Sequence, residues 1–259
     1  MFRLAGVAVC AALLAEPAAA LAEAPRDTAA RAFESGAFLT AAAAAESSGG
    51  AGGLTLAARA LLAACVAGPA EENVDLLIDR AIVAARTALE RDPKSVEARL
   101  NLALGLGLKG RRTGRMEAFR KGYAATGKRL IEDAMIMEPN NAWANALMGG
   151  WSLEVMRRGG KIGAKLYGAS FEEGVAYFER ARVLAPQDPA IAMLYGAALL
   201  ELDPKRFAED ARAQFEAAAA GQPRDALGRT MRREASAFLE ILEREGPEAA
   251  ARAANRRFS

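Results

Sequence analysis

Ala181-Arg182-Val183-Leu184-Ala185-Pro186 decides the fold, because the same helix end recurs along the chain. Ala88-Leu89-Glu90-Arg91-Asp92-Pro93 and Ala134-Met135-Ile136-Met137-Glu138-Pro139 match it in spacing, and Ala218-Ala219-Ala220-Gly221-Gln222-Pro223 is a weaker fourth copy. In each copy Ala stands five residues before Pro. Proline lacks an N–H and clashes with the preceding turn, so it stops the helix. Apolar helical patterns follow the first three prolines, at 96–103, 142–155 and 190–196. The 259 residues are 52% hydrophobic and rich in Ala, Leu, Glu and Arg, which are good helix formers, with few of the β-branched runs that make strands. Composition and punctuation together predict an all-α chain of repeated helix pairs, large enough to bury a core without disulfides or metal.

The repeats also share an internal code. Leu102-Ala103, Met148-Gly149 and Tyr195-Gly196 each place a large residue before a small one in the first helix of a pair. Ile131, Phe178 and Phe215 each stand three residues before the late Ala of the second helix. Small residues let helices approach closely, and large ones fill the space between neighbouring pairs. This pattern resembles the tetratricopeptide (TPR) family over residues 54–223. The resemblance implies a right-handed superhelical array of antiparallel helix pairs, with a concave groove lined by the first helix of each unit. By that implication Leu100, Leu104, Trp143, Ala146, Met193 and Ala197 are the groove candidates, with Glu97, Gly150 and Ala190 beside them. TPR groups that clamp a terminal carboxylate use Lys, Arg and Asn here. Apart from nearby Asn101 these are missing, so a groove of Leu, Met and Trp better suits an apolar helix, an extended peptide or a lipid tail. Trp143, Leu147 and Trp151 form one helical stripe, for which core packing is favoured over binding.

The period departs from the family. Prolines 93, 139 and 186 are 46 and 47 residues apart, whereas a plain repeat is about 34, an excess of about 12 and 13. Helix starts and ends align, so the extra residues fall near the turn within each unit, and in a stacked array such turns share one edge. Both insertions are basic. The first carries Arg111, Arg112, Arg115, Arg120, Lys121, Lys128 and Arg129 with Glu117 the one acid among them; the second carries Arg157, Arg158, Lys161 and Lys165 with no acid. Since the formal net charge is only +2, these stretches predict a local basic edge, suited to an acidic protein, anionic lipid or another polyanion. The alternative is a pair of solvated loops whose charge keeps the edge soluble. Nucleic acid is not the expected partner, because aromatics for base stacking are limited to Phe119, Tyr123 and Tyr167.

At the start, Arg3, the apolar stretch 4–14 and the small residues 18–22 form a secretory signal pattern, with cleavage expected after Ala22 and an uncleaved anchor as the alternative. The expected organisation is a signal peptide (1–22), a helical segment ending in the Gly/Ser-rich break 47–53 (23–53), the repeat array (54–223), and a capping helix with a basic tail or further helix (224–259). Export implies a periplasmic or secreted protein, and no later segment is expected to span a membrane. Removal of Cys10 with the leader would leave Cys65 alone in an apolar helix, read as a small buried hydrophobe.

Catalytic parts are scarce. The chain has no histidine, the usual acid/base at neutral pH and the commonest metal ligand. Gly105-Leu106-Gly107 lies within a helical pattern and does not follow a strand, so it is no phosphate loop. No cofactor, metal site or enzyme activity is expected. The expected function is a non-catalytic scaffold that binds a protein of a cell-envelope assembly. The alternative is a small-molecule or lipid-binding accessory of a periplasmic transporter.

Overall fold

The computed structural model describes residues 18–67 and 73–258; the segment 1–17, and with it most of the expected signal peptide, lies outside the described residues. Thirteen helices and no strand occur among the described residues. They are α1 (Ala18–Ser35), α2 (Phe38–Ser48), α3 (Gly50–Ala67), α4 (Val74–Arg91), α5 (Val96–Arg112), α6 (Arg115–Arg120) and α7 (Tyr123–Met137). These are followed by α8 (Ala142–Tyr167), α9 (Phe171–Leu184), α10 (Pro189–Leu202), α11 (Ala208–Ala220), α12 (Ala226–Arg244) and α13 (Pro247–Phe258). The architecture is a TPR-like solenoid. Its inner layer is α3, α5, α8, α10 and α12, each packed on the next, and α4, α7, α9 and α11 form the outer layer.

The repeated proline marks a turn that is rebuilt four times. Two residues after Pro93, Pro139, Pro186 and Pro223 stand Ser95, Asn141, Asp188 and Asp225. Each caps the next inner helix by accepting a backbone N–H, from Ala98, Ala144, Ala190 and Gly228 respectively. These caps satisfy amides that the helix itself leaves without partners. The weaker fourth copy therefore makes the same turn as the other three.

The large-small code is steric. A Cβ on Gly149 would lie 2.6 Å from Phe178, and one on Gly196 would lie 2.7 Å from Phe215. Ala103 and Ile131 meet in the equivalent place, alongside Met148. The late alanines 88, 134, 181 and 218 are all fully buried, where the outer helices press closest to their neighbours.

Two features differ from expectation. The stretch 47–53 is not an extended break: α2 runs to Ser48, α3 starts at Gly50, and only Gly49 lies between. The apolar faces of α2 and α3 continue into one core cluster, so the array begins before residue 54. Secondly, α3 is long and apolar enough to cross a membrane, yet half of it is buried inside the protein. Leu61, Leu62 and Ala63 anchor the first core cluster, and Arg59 in the same helix is paired with Asp225. Of the two readings left open for the C-terminal stretch, the helical one applies: 247–258 is α13.

The two ends of the array meet. Arg59 Nη2 of α3 lies 2.8 Å from Asp225 Oδ2 at the start of α12, and Arg229 donates to the Glu34 carbonyl of α1. Ala226 belongs to the first core cluster, while Leu227 packs against both large clusters. The predicted cap thus closes the superhelix onto its own beginning.

Candidate functional site

Closure changes the fate of the groove. Met193 is fully buried, and Ala146, Ala197 and Leu100 are 1%, 3% and 7% exposed; these four are core residues and not an open binding surface. Leu100 packs with Ala134 of α7 and Ala144 of α8, and the other three belong to the second core cluster. Leu104 is half-buried against the first cluster, and Trp143 bridges two clusters. An inner helix of a stack is covered by the preceding pair, the following pair and its own partner. Helical spacing alone does not separate those faces from the groove.

The groove side is covered by the chain itself. Helix α13 packs on α10 and α12, with Ala250 and Ala254 fully buried in the same cluster as Met193 and Ala197. Arg257 reaches Glu234 of α12 at 3.1 Å. The stripe of Trp143, Leu147 and Trp151 is packing: Trp151 donates its indole N–H to the Ala124 carbonyl at 2.9 Å and meets Tyr167 edge-on. Cys65 is half-buried against the first core cluster.

The insertions are helical and not loops. The first consists of the lengthened end of α5 together with α6; the second is the continuation of α8 past a sharp bend at Gly160. Gly160 has φ 56° and ψ −154°, a conformation open essentially to glycine alone. Their cations divide into two groups.

One group is engaged by partners within the chain. Arg111 of α5 donates Nη2 to both oxygens of Glu201 on α10, at 2.7 and 2.8 Å, and Nη1 to Glu154 on α8 at 3.0 Å. Arg157 adds a second fork onto Glu154 at 2.8 Å and lies 3.7 Å from Glu201. Burial pushes the Glu201 carboxyl up, against the opposing pull of Arg111 and Arg157, and the upward shift prevails. Burial also works against charge on Arg157, but Glu154 and Glu201 raise its pKa above the usual guanidinium value. Arg158 has no carboxylate fork. It donates to the Gly110 carbonyl and, at 2.8 Å, to that of Thr113, and burial with the neighbouring arginines lowers its pKa. Arg112 pairs with Asp75 at 2.8 Å, as does Lys109 with Asp79. Lys128 caps the Tyr167 carbonyl at 3.0 Å and sits over the Trp151 ring.

The expectation of eleven projecting cations therefore fails for Arg111, Arg112, Lys128, Arg157 and Arg158, which tie helices together. The acids that neutralise the first cluster, Glu154 and Glu201, were not singled out from sequence. One signal was present: Glu201 interrupts the apolar run Ala197–Leu202 of α10. The second group comprises Arg115, Arg120, Lys121, Arg129, Lys161 and Lys165. All six are exposed, and none has a carboxylate within ion-pair distance among the described residues.

A model of the family described as Regulator of microtubule dynamics protein 1-3 matches residues 43–243. The chain belongs to that family. The match runs from within α2 to the last turn of α12, while α1 and α13 lie outside it. Among solved structures, a thermophilic TPR protein of Thermus thermophilus is similar, with a TM-score of 0.59 at 18% identity over 83% of this chain and 99% of that one. At that identity the likeness shows the fold. A search of curated proteins found no match.

A cleft of about 240 Å³ lies between the starts of α3 and α5, walled by Thr55, Leu56, Arg59, Asp92, Ser95 and Glu97. It is small and polar beside the ~300–1,000 Å³ apolar pockets that hold organic ligands. No group of His, Cys, Asp and Glu suited to a metal ion occurs among the described residues.

Proposed function

We propose that this family member is an exported, non-catalytic scaffold that holds a helical segment of another protein in a cell-envelope assembly. Packing of α13 on α10 and α12 carries this reading, because the array already accepts an amphipathic helix from its own chain. Helix-in-groove binding uses apolar anchors at helical spacing, and Ala250 and Ala254 stand at i and i+4. Small anchors let two helix backbones approach closely. The signal pattern at 1–22 supports export to the periplasm or beyond. The family description speaks of microtubule regulation, but an exported chain works away from microtubules. The contribution of the family here is therefore the helical-repeat core. The transporter-accessory alternative draws no support from the polar cleft between α3 and α5.

The test removes 247–258 and measures binding of that segment in trans as a labelled peptide. Envelope extract is then used as a competitor. A protein that displaces the peptide from the shortened chain, and binds the intact chain more weakly, is the expected result. Failure of the peptide to bind a shortened chain with an intact helical melting transition removes the basis of the proposal.

A further inference from the structure

The outer halves of both insertions expose apolar side chains that nothing in the fold uses. Met116 and Phe119 on α6 are 78% and 57% exposed, and Ile162 and Leu166 on α8 beyond the bend are 83% and 60% exposed. They stand at i, i+3 and i, i+4, so each pair shares one helical face. Other exposed large apolar side chains among the described residues are spread over α2, α4, α7 and α9.

The two segments are fastened to the same edge. Arg158, just before the bend, holds the Gly110 and Thr113 carbonyls where α5 gives way to α6. Lys128 of α7 holds the Tyr167 carbonyl at the far end of α8, and α6 itself packs on α7. The exposed cations follow the same two segments: Arg115, Arg120 and Lys121 around Met116 and Phe119, Lys161 and Lys165 around Ile162 and Leu166. Glu117 is the one acid in either exposed stretch.

We propose that this edge docks on an anionic lipid bilayer, with the four apolar side chains entering the headgroup–acyl boundary and the lysines and arginines engaging lipid phosphates. The partner follows from charge and shape. Apolar side chains that project this far from two short helical segments suit a deformable apolar medium better than the matched surface a protein partner requires. Long basic side chains keep their stems along the apolar boundary and their heads in the anionic layer. An aqueous polyanion would use the cations and leave the apolar four exposed. The inference uses a surface separate from the α13 site and stands whether or not that site binds a protein.

The test is flotation of the purified full chain with vesicles of phosphatidylglycerol and phosphatidylcholine, beside vesicles of phosphatidylcholine alone. Binding is expected only to the anionic vesicles and should weaken as salt rises. Two variants divide the surface: Met116→Ser/Phe119→Ser/Ile162→Ser/Leu166→Ser, and Arg115→Glu/Lys121→Glu/Lys161→Glu/Lys165→Glu. Each should lower partitioning at least about tenfold while the helical melting transition stays in place. Phe119→Trp supplies a readout that needs no loss of function, a blue shift in emission with anionic vesicles and none with neutral ones. Equal binding to both vesicle types, full binding by the serine variant, or absence of the blue shift overturns the proposal. So does a chain that ignores vesicles but loses an acidic protein partner in the charge-reversed variant, which would make the edge a protein site.

Discussion

The inner and outer halves of the two insertions have similar compositions and opposite fates. Arg111 and Arg157, together with Glu154 and Glu201, join the ends of α5 and α10 to the middle of α8. A few residues further on, Arg115, Lys161 and Lys165 point into solvent beside exposed Met116, Ile162 and Leu166. The difference teaches that a basic stretch is not one functional unit. Carboxylates from distant repeats neutralise the part that the fold encloses, and only the remainder is available to a partner.

The comparison breaks most visibly at Arg111. Arg111→Ala leaves Glu201, whose side chain is 4% exposed, without its forked partner, and should cost about 3 kcal/mol in urea unfolding. Replacing the pair together, Arg111→Met with Glu201→Leu, should recover most of that loss, since paired buried charges are expensive to desolvate. Arg115→Ala, by contrast, should change stability by less than about 0.5 kcal/mol. A loss at Arg115 comparable to that at Arg111 would show that the two halves are not distinct.

Gly149→Ala sharpens the contrast between repeat and insertion. Its new methyl would meet Phe178 at 2.6 Å and should destabilise the array by about 1–3 kcal/mol. Gly159→Ala, beside the bend with open space around it, should be much milder. Differential scanning calorimetry of the two variants reads this directly. A smaller effect is expected at Lys128→Met, which forfeits a hydrogen bond, a cation–π contact and a surface ion pair with Glu132, about 1 kcal/mol.

The smallest effect is a dependence on pH. Burial raises the Glu201 carboxyl above its ordinary value, so the folded chain holds that proton more firmly than the unfolded chain. Its contribution to stability therefore increases as pH falls through the raised value towards 4.5 and is lost as pH rises through it. Arg111 and Arg157 face the carboxyl with opposite charge and Glu154 with like charge. Glu201→Gln should remove this component, measured as a flatter pH profile of the unfolding midpoint as pH falls towards 4.5.

Much of the fold was legible because its signals are local. A proline that stops a helix and an Ala five residues before it act over a short stretch of chain. Four copies of that unit demand a stack of pairs. The steric code of Gly149 and Gly196 was legible for the same reason, since each repeat supplies both the small residue and the ring that fills it. The groove assignment failed at Met193, Ala146, Ala197 and Leu100 because an inner helix is apolar on several sides, and spacing does not reveal which side a neighbour covers. The insertions were placed in sequence near the turns within each unit, with solvated loops as the alternative to a binding edge. Gly110, Gly159 and Gly160 lie within helices, and only Gly160 adopts a backbone that bends one.

Sequence by itself determined the all-α class, the repeat register, the alanines and glycines at close approaches, and the presence of two basic insertions. All of these rest on backbone and side-chain preferences within a few residues. Only the tertiary structure decided that α12 closes the array on α1 and α3, that α13 covers α10 and α12, and which cations are neutralised. Those outcomes depend on pairs such as Arg59 with Asp225 and Arg111 with Glu201, 166 and 90 residues apart, brought together by the accumulated rotation of stacked helices.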